Sequence, residues 1–267
     1  MKKAIFFDLD DTLLNDRKSI QRAFDVTCGE LAEKYGLDSA ELEANVRDCA
    51  RKLYSTYPFF EFSQKIGINP FEGLWGRFTD VHHWKFREMG MLISDYQLKA
   101  WKEGLQLSGV PEEEAEGAKK RFQEVRRSTS FVFDDTYEVL EQLKTRGFRL
   151  LLLTNGSPSL QLEKLAMEKR LIPYFEHIVI SGNFGFGKPD RRLFQHALRL
   201  MEISAEEAIM VGDNVGTDIL GANNAGIDSI WIDHGDGKKV EGAKPTYCAE
   251  RLKDVLDTTV LSSSIRS

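Results

Sequence analysis

The chain has 267 residues, of which 36 are basic and 42 acidic, and its net charge at pH 7 is −6. This acidic balance argues against a nucleic-acid-binding protein, because such proteins carry a basic patch. No apolar run is long enough to span a bilayer, and the N-terminal "MKKAIFFD" lacks the long apolar segment of a signal peptide. The three cysteines are scattered without metal-binding spacing, which predicts reduced thiols in a cytoplasmic protein.

In chain order, five short apolar runs predict buried strands. Each run is continuously apolar rather than alternating, which is typical of a parallel sheet covered by helices on both faces. Helical patterns alternate with the runs from the second run onward. The predicted fold class is therefore α/β, with a doubly wound, Rossmann-like parallel sheet. The five predicted strands are residues 4–7, 149–153, 178–181, 208–211 and 229–232.

The first two predicted strands are separated by a long segment that contains helical patterns and no convincing strand. These patterns predict an inserted α-helical domain at residues 16–130. The sheet domain would then consist of residues 1–15 and 131–267. The predicted helices of the inserted domain are residues 19–35, 39–54, 77–89, 94–107 and 112–127.

Two groups of side chains in the inserted domain could suggest a ligand site. Trp75, Trp84 and Trp101 are instead expected to pack in the core of the domain, where large aromatic residues bury the most surface. His82 and His83 are adjacent, and neighbours on a helix point away from each other. We therefore expect these histidines to be solvated or packed rather than to bind a metal together.

Between the later strands, local signals predict where helices begin and end. The run "DTYE" at 135–138 has the pattern of a capping box, and so does the run at 204–207. The Ser-Pro pair at 157–158 predicts the first turn of another helix. Gly226 is suited to the position that follows a helix. The Ser-rich end of the chain, residues 258–267, is expected to fray.

Polar side chains follow each of the first four predicted strands. In an open α/β sheet, ligands bind at the carboxyl ends of the strands, so these side chains should gather at one edge. They comprise carboxylates, a threonine, an asparagine and a lysine. The runs are "DLDDT" at 8–12, "TNG" at 154–156, "GKPD" at 187–190 and "GDN" at 212–214, with Asp218 following.

Each of these runs alone is typical of an ordinary turn or helix start. Together, and in this order, they resemble the motifs of the haloacid dehalogenase-like hydrolase superfamily in its phosphatase branch. Those motifs are DxDxT, a strand that ends in threonine, a lysine motif and GDxxxxD. The resemblance covers residues 4–20 and 130–233. It implies that the inserted helical domain is the α-helical cap of that superfamily, placed between its first two motifs.

For a phosphatase of this kind, Asp8 at the tip of the first strand is the predicted nucleophile, since a carboxylate is already ionised at neutral pH. Asp10 would protonate the departing ester oxygen and then deprotonate the attacking water. Along a strand the two side chains would lie on opposite faces, so we expect the chain to turn at Leu9. Asp11 has no clear catalytic task and is expected to be structural.

The crowded carboxylates at this edge need a cation, because like charges about 4 Å apart repel by roughly 4 kcal/mol at an effective dielectric near 20. Oxygen ligands without histidine or cysteine favour Mg²⁺ over Zn²⁺. Asp8 and Asp213 are the expected side-chain ligands, and the family resemblance adds the backbone carbonyl of Asp10. Asp218 would orient waters or support Asp213.

The phosphate oxygens of a substrate would need positive partners. Thr154 and the backbone amide of Asn155 are expected to hold them at the start of the next helix, whose N-terminus favours anions. Lys188 would supply a compact positive charge to the phosphate and to Asp8.

The predicted function is a magnesium-dependent phosphomonoesterase that acts on a small phosphorylated metabolite through an aspartyl-phosphate. The stretch "INPFEGLW" at 68–75 resembles relatives that act on phosphoserine. Two alternatives stay open: a phosphomutase on the same scaffold, and a receiver-type signalling protein, although receiver domains are much shorter. The expected partner is a small phosphate ester, without nucleic acid or membrane, and the chain is expected to be a monomer or weak dimer.

Overall fold

The computed structural model describes residues 1–235 and 240–258 and contains a six-stranded sheet. Neighbouring strands all run parallel, in the order β3-β2-β1-β4-β5-β6. This is the strand order of a doubly wound, Rossmann-like sheet, so the predicted fold class is confirmed. The strands are β1 Ala4–Phe7, β2 Arg149–Thr154, β3 His177–Ile180, β4 Ala208–Gly212, β5 Asp228–Ile232 and β6 Tyr247–Ala249.

The first five strands lie where the sequence predicts them, to within one residue at each end. The sixth strand is not predicted, because its three residues form no apolar run and it lies at the edge of the sheet. β1 is central and fully buried, between β2 and β4. The order of strands reverses at β1, which is where α/β sheets form a crevice at their carboxyl ends.

Contacts between residues divide the chain into two compact units. The sheet unit comprises Met1–Asn15, Val132–Asn155 and Glu168–Ser267, and the helical unit comprises Asp16–Phe131 and Gly156–Met167. The sequence-based boundaries assign residues 156–167 to the sheet domain, because a helix that follows a strand normally covers the sheet. Their contacts are instead with the helical unit, so the chain passes between the units four times.

The helices of the sheet unit are α7 Thr136–Thr145, α9 Arg191–Met201 and α10 Leu220–Ala225, and the π-helical turn Val215–Ile219 directly precedes α10. Alternate side chains of β1, β2 and β4 form an apolar face that packs with α9 and α10. This cluster includes Phe6, Leu151 and Met210 from the strands and Phe194 and Ala222 from the helices. Burial of such surface stabilises a fold by about 25 cal/mol per Å², so this packing contributes to the stability of the sheet unit.

Helix ends in the sheet unit follow the sequence signals in part. Asp135 precedes α7 but does not cap it, because its carboxylate accepts the backbone N–H of Lys253 at 2.8 Å. The predicted capping box at 204–207 is present, but it opens a 3₁₀ turn rather than an α-helix. Gly226 ends α10 with a left-handed φ of 73°, as predicted. The Ser-rich end beyond residue 258 lies outside the described residues.

The helices of the helical unit are α1 Asp16–Tyr35, α2 Ser39–Tyr54, α3 Phe60–Ile66, α4 Pro70–Gly73, α5 Trp84–Leu107, α6 Ala115–Ser128 and α8 Pro158–Met167. The prediction of separate helices at 77–89 and 94–107 is wrong, since α5 runs without a break. α5 begins after His83, whose Nδ1 accepts a backbone N–H of the first turn at 3.2 Å. Gly90 does not end the helix. A Cβ there would lie 3.0 Å from the Phe78 carbonyl oxygen, so the glycine lets the preceding loop pack against α5.

The aromatic and histidine side chains of the helical unit differ in burial. Trp75 and Trp101 are fully buried in the apolar core, as predicted. Trp84 is 64% exposed, so the prediction that it packs in the core is wrong. His83 stacks on a phenylalanine of α3 with ring centroids 4.6 Å apart, and His82 is exposed. The two histidines are therefore packed and solvated respectively, as expected.

No disulfide is found among the residues that the structure describes. All three cysteines are free thiols, and Cys28 and Cys49 are buried. Burial raises the pKa of both thiols, that of Cys28 to about 12, so neither is a reactive thiolate at neutral pH. Across residues 1–235 and 240–258, none of the helices has both the length and the apolarity that crossing a membrane requires.

Charged side chains lie buried together in the helical unit: Asp16, Glu72, Arg126 and Lys164. Arg126 pairs with Asp16, and Lys164 Nζ lies 2.9 Å from Glu72 Oε1 and 3.5 Å from Asp16 Oδ2. The two positive and two negative charges cancel, which offsets the cost of their burial only while every partner is present. This charge cluster joins α4 to the start of α1, the end of α6 and α8. The last three are segments where the chain enters or leaves the unit.

Asp16→Asn should destabilise the protein by about 3–5 kcal/mol, because removing one member of a buried ion pair leaves its partner uncompensated. Burial acts to raise the pKa of Asp16, but Lys164 and Arg126 outweigh it and hold that pKa below its usual value of 3.8. A lowered folded-state pKa adds stability above the unfolded pKa and loses it as pH falls through the folded value. The stability gap between wild type and variant should therefore narrow below pH 3.8.

Urea denaturation followed by circular dichroism, at pH 7 and at steps below pH 4, measures this gap. Asp48→Asn is a suitable control, since Asp48 is exposed and its pair with Arg51 should contribute no more than about 1 kcal/mol. A gap that is absent at neutral pH, or that does not change with pH, would contradict the role given to the charge cluster.

Candidate active site

The chain turns sharply where β1 ends. The backbone N–H of Asp8 still donates to Val211 of β4, at 3.0 Å. The carbonyl of Leu9 then accepts the N–H groups of Leu13 and Leu14, at 3.0 and 2.9 Å. The chain therefore leaves the strand direction at Leu9, where the sequence predicts a turn.

The backbone of Asp11 supports this turn. Its φ of 58° lies in the left-handed region, which is uncommon for a residue other than glycine. Its N–H donates to the carbonyl of Leu14 at 2.6 Å, and its own carbonyl oxygen lies 2.7 Å from His234 Nε2. Asp10 joins the same turn through an isolated β-bridge with Leu14. These contacts agree with the structural role expected of Asp11.

Lys188 lies between two carboxylates at the carboxyl edge of the sheet. Its Nζ is 2.7 Å from Asp8 Oδ1 and 2.6 Å from Asp218 Oδ1, and only 1% of its side chain is exposed. Burial alone would lower the pKa of Lys188, but Asp218 and Asp8 outweigh burial and raise it above its usual value. Lys188 is therefore a permanent positive charge in a site with little access to water.

The surroundings of Asp8 alter the pKa of its carboxylate. Its burial raises the pKa, Lys188 lowers it, and the neighbouring charge of Asp218 raises it again, to about 6. Asp8 is therefore largely ionised at neutral pH. An ionised carboxylate in a buried site has the properties of a nucleophile that needs no general base.

Asp218 lies in the π-helical turn that follows β4, a type of helix found frequently at functional sites. Its Oδ2 accepts the backbone N–H of Asn214 at 3.0 Å, while its Oδ1 contacts Lys188. A Cβ at Gly212 would lie 2.3 Å from Asp218 Oδ2, so only glycine allows this carboxylate to approach the strand end. Asp218 thus holds Lys188 in place, a role in addition to the support of Asp213 that the sequence predicts.

Asp213 is held by two side chains that are not among the predicted site residues. The Thr12 hydroxyl accepts the backbone N–H of Asp213 at 3.0 Å, and Trp231 Nε1 donates to its carbonyl at 2.9 Å. Thr12 is the threonine of the DxDxT pattern, so the motif contained a signal for it. Trp231 reaches Asp213 because β5 pairs with β4, and no local sequence pattern indicates this pairing.

The side chain of Asn155 holds the loop that carries Lys188. Its Oδ1 accepts the backbone N–H of Lys188 at 2.8 Å, and its Nδ2 donates to the Lys188 carbonyl at 3.0 Å. A Cβ at Gly187 would lie 2.5 Å from Asn155 Oδ1, which explains the glycine before the lysine. The side chain of Asn155 thus positions Lys188, a role in addition to the phosphate contact predicted for its backbone amide.

Thr154 ends β2, where it pairs with Ile180 of β3 and is almost fully buried. The sequence predicts that the N-terminus of the following helix receives an anion from a ligand. In the structure, the Ser159 N–H in the first turn of α8 donates to the carboxylate of Asp80 at 2.6 Å. An anion of the protein itself therefore occupies that donor.

Asp8, Asp213 and Asp218 each offer a carboxylate oxygen, and these oxygens lie within 4.8 Å of one another. The donors are oxygen atoms without histidine or cysteine, which suits a hard divalent cation. Both oxygens of Asp218 are engaged, by Lys188 and by Asn214. Asp218 is thus better suited to hold Lys188 than to bind a cation directly.

Comparison with known proteins identifies relatives over nearly the whole chain. Residues 2–226 match the family model of the haloacid dehalogenase-like hydrolases. The chain is 34% identical over 254 residues to a phosphoserine phosphatase of Thermus thermophilus, covering 95% of this chain and 97% of that protein. It is 30% identical over 238 residues to a glyceraldehyde 3-phosphate phosphatase of Pyrococcus abyssi, covering 88% and 83%.

Among solved structures, a similar fold is found in the magnesium-bound HAD-hydrolase YfnB of Bacillus subtilis. The TM-score is 0.65, and the alignment covers 96% of this chain and 97% of that chain. The sequence identity is 20%, so this similarity concerns the fold alone.

Thr12→Val should destabilise the protein by about 1–3 kcal/mol, because the partly buried N–H of Asp213 loses its hydroxyl acceptor while the side-chain shape is nearly kept. Thr12→Ser is the matched control, since it retains the hydroxyl. Urea denaturation of both variants beside wild type measures the difference. If Thr12→Val were as stable as Thr12→Ser, the hydroxyl would not hold the two loops together.

Proposed function

The chain belongs to the haloacid dehalogenase-like hydrolases as a phosphatase, and we propose that it acts with Mg²⁺ on a small phosphorylated metabolite. The observation that carries the proposal is Lys188 buried between Asp8 and Asp218, with Asp213 beside them. The two phosphatases reported above, which align with most of the chain, support it. We further propose that it works in the cytoplasm as a monomer or weak dimer, without nucleic-acid or membrane partners.

In the proposed first step, a carboxylate oxygen of Asp8 attacks phosphorus and the bond from phosphorus to the ester oxygen breaks. Asp10 gives its proton to the departing oxygen, so an alcohol leaves and the phosphoryl group stays on Asp8. In the second step, Asp10 takes a proton from a water whose oxygen attacks phosphorus. Inorganic phosphate is released and the Asp8 carboxylate is restored.

Fixed positive and hydrogen-bonding groups would stabilise the phosphoryl group during both steps. Lys188 Nζ is already 2.7 Å from Asp8 Oδ1, so it is near the point where the new bond to phosphorus forms. A preorganised cation in a buried site is most effective where charge develops. We propose that Thr154 and the backbone amide of Asn155 bind the other phosphate oxygens.

The carboxylates at the sheet edge would hold the metal ion. Asp8, Asp213 and the backbone carbonyl of Asp10 would be its protein ligands, and Asp218 would support the site through Lys188. When bound, Mg²⁺ neutralises negative charge on the phosphate oxygens and helps to orient them.

Phosphoserine is the proposed substrate. The support is the identity to the Thermus thermophilus phosphatase, which extends over 95% of this chain. The resemblance of residues 68–75 to relatives that act on phosphoserine is weaker support for this substrate. Glu72 and Trp75 in that stretch are buried and pack within the helical unit.

Release of inorganic phosphate from a panel of phosphate esters tests this proposal. The panel should include phosphoserine, glyceraldehyde 3-phosphate, sugar phosphates and nucleoside monophosphates. We expect the highest kcat/KM for phosphoserine. A higher value for glyceraldehyde 3-phosphate would overturn the substrate assignment and leave the enzyme class intact.

Two alternative functions were a receiver-type signalling protein and a phosphomutase. Family membership removes the receiver-type signalling protein. The phosphomutase differs from the phosphatase only in where the phosphoryl group ends. Movement of labelled phosphate between positions of one sugar, without release of inorganic phosphate, would favour the mutase.

Asp213→Asn should raise the dissociation constant for Mg²⁺ by about 10–100-fold, because the variant loses a formal charge at the metal site and keeps nearly the same size. Calorimetric titration with Mg²⁺ measures binding independently of turnover. Asp228→Asn is the matched control, since Asp228 begins β5 at the opposite edge of the sheet. Equal affinities in wild type and Asp213→Asn would refute the metal assignment.

Asp8→Asn and Asp10→Asn should fail at different steps. Asp8→Asn has no nucleophile, so no phosphoenzyme should form. Asp10→Asn keeps the nucleophile and loses an acid and base that are together worth about 10²–10⁴-fold in rate. With a good leaving group, phosphorylation should continue while hydrolysis stalls.

Rapid quenching with ³²P-labelled substrate separates the two variants. Label sensitive to hydroxylamine should accumulate on Asp10→Asn and be absent from Asp8→Asn. Peptide mapping identifies the labelled residue. Label on Asp8→Asn, or on a residue other than Asp8 in Asp10→Asn, would overturn the proposed mechanism.

A further inference from the structure

The loop between α4 and α5 is anchored in the helical unit by alternate side chains. Phe78 and Asp80 are buried, while Arg77, Thr79 and Val81 are exposed. Asp80 is the unusual member, because a carboxylate that is only 9% exposed requires polar partners.

Asp80 has these partners at the first turn of α8. Its Oδ1 accepts the backbone N–H of Ser159 at 2.6 Å, and its Oδ2 accepts the hydroxyls of Ser157 and Ser159, both at 2.7 Å. Ser157 Oγ in turn accepts the N–H of Leu160 at 3.3 Å. The carboxylate therefore compensates the positive end of the helix and holds the two serines that begin it.

These serines closely follow the proposed phosphate-binding residues in the chain. Three residues lead from Thr154 to Ser157, and a chain of that length spans at most about 11 Å. Between them, two hydrogen bonds hold the Asn155 side chain, and Gly156 donates its N–H to a backbone carbonyl at 2.8 Å. Each residue from 154 to 157 is thus held by its own contact, and Asp80 supplies the contact that holds Ser157.

An aspartate that caps a helix is ordinarily a stabilising residue only, as Asp38 is for α2. Asp80 differs because it lies 77 residues before Ser157 and binds two serine hydroxyls as well as a backbone N–H. Building on the proposed function, we propose that Asp80 is a positioning residue for phosphate recognition. It fixes the backbone after β2 so that the Thr154 hydroxyl and the Asn155 amide keep one geometry toward the phosphate.

Asp80→Ala, with Asp38→Ala as the matched control, tests this role. Both variants lose a cap of the helical unit, so both should have a lower Tm. Asp80→Ala alone should lower kcat/KM by about 10–100-fold for every phosphate ester that the enzyme hydrolyses, the usual effect of removing a supporting partner. It should also weaken the binding of inorganic phosphate by a similar factor, while Asp38→Ala should leave both quantities unchanged.

Calorimetric titration with inorganic phosphate in the presence of Mg²⁺ measures this binding without turnover. If the wild type binds phosphate but hydrolyses no ester, the proposed function fails while the role of Asp80 is still tested. Asp80→Asn and Ser159→Ala remove fewer hydrogen bonds and carry the test if Asp80→Ala does not fold. Wild-type phosphate affinity in folded Asp80 variants would overturn the proposal, and so would an equal loss in Asp38→Ala.

Discussion

A buried lysine ammonium between two carboxylates is the interaction on which the rest of the site depends. An isolated charge would be expelled from such an environment or neutralised within it. Lys188 stays charged because Asp8 and Asp218 lie 2.7 and 2.6 Å from its Nζ. The dependence is mutual, since the lysine offsets the rise in the pKa of Asp8 that burial and Asp218 produce.

The backbone around Lys188 is sterically constrained at two glycines. A Cβ at Gly212 would lie 2.3 Å from Asp218 Oδ2, and a Cβ at Gly187 would lie 2.5 Å from Asn155 Oδ1. The glycine that ends β4 and the glycine before Lys188 therefore let polar side chains approach the backbone closely. Because parallel strands end at one edge, these loops meet there although they are distant in the chain.

The helical unit and the sheet unit differ in the balance of their buried charges. In the charge cluster of the helical unit, two acidic and two basic side chains cancel, which is the balance expected of a structural feature. At the sheet edge, three carboxylates gather with one lysine, so negative charge is in formal excess. That excess suits a divalent cation, which a balanced cluster would not attract.

The α/β class could be predicted from the sequence alone, and so could the five apolar strands and the polar runs at their carboxyl ends, because apolar continuity and strand-end chemistry are local signals. It did not reveal α3, α4 or β6, which are too short to show a period, nor the exposure of Trp84. The contacts that hold the predicted residues in place emerge from the folded chain. Asn155, whose side chain holds the Lys188 backbone, lies 33 residues before it, and Asp80 lies 77 residues before Ser157. Such pairings depend on how strands and loops pack in space, and no spacing along the chain encodes them.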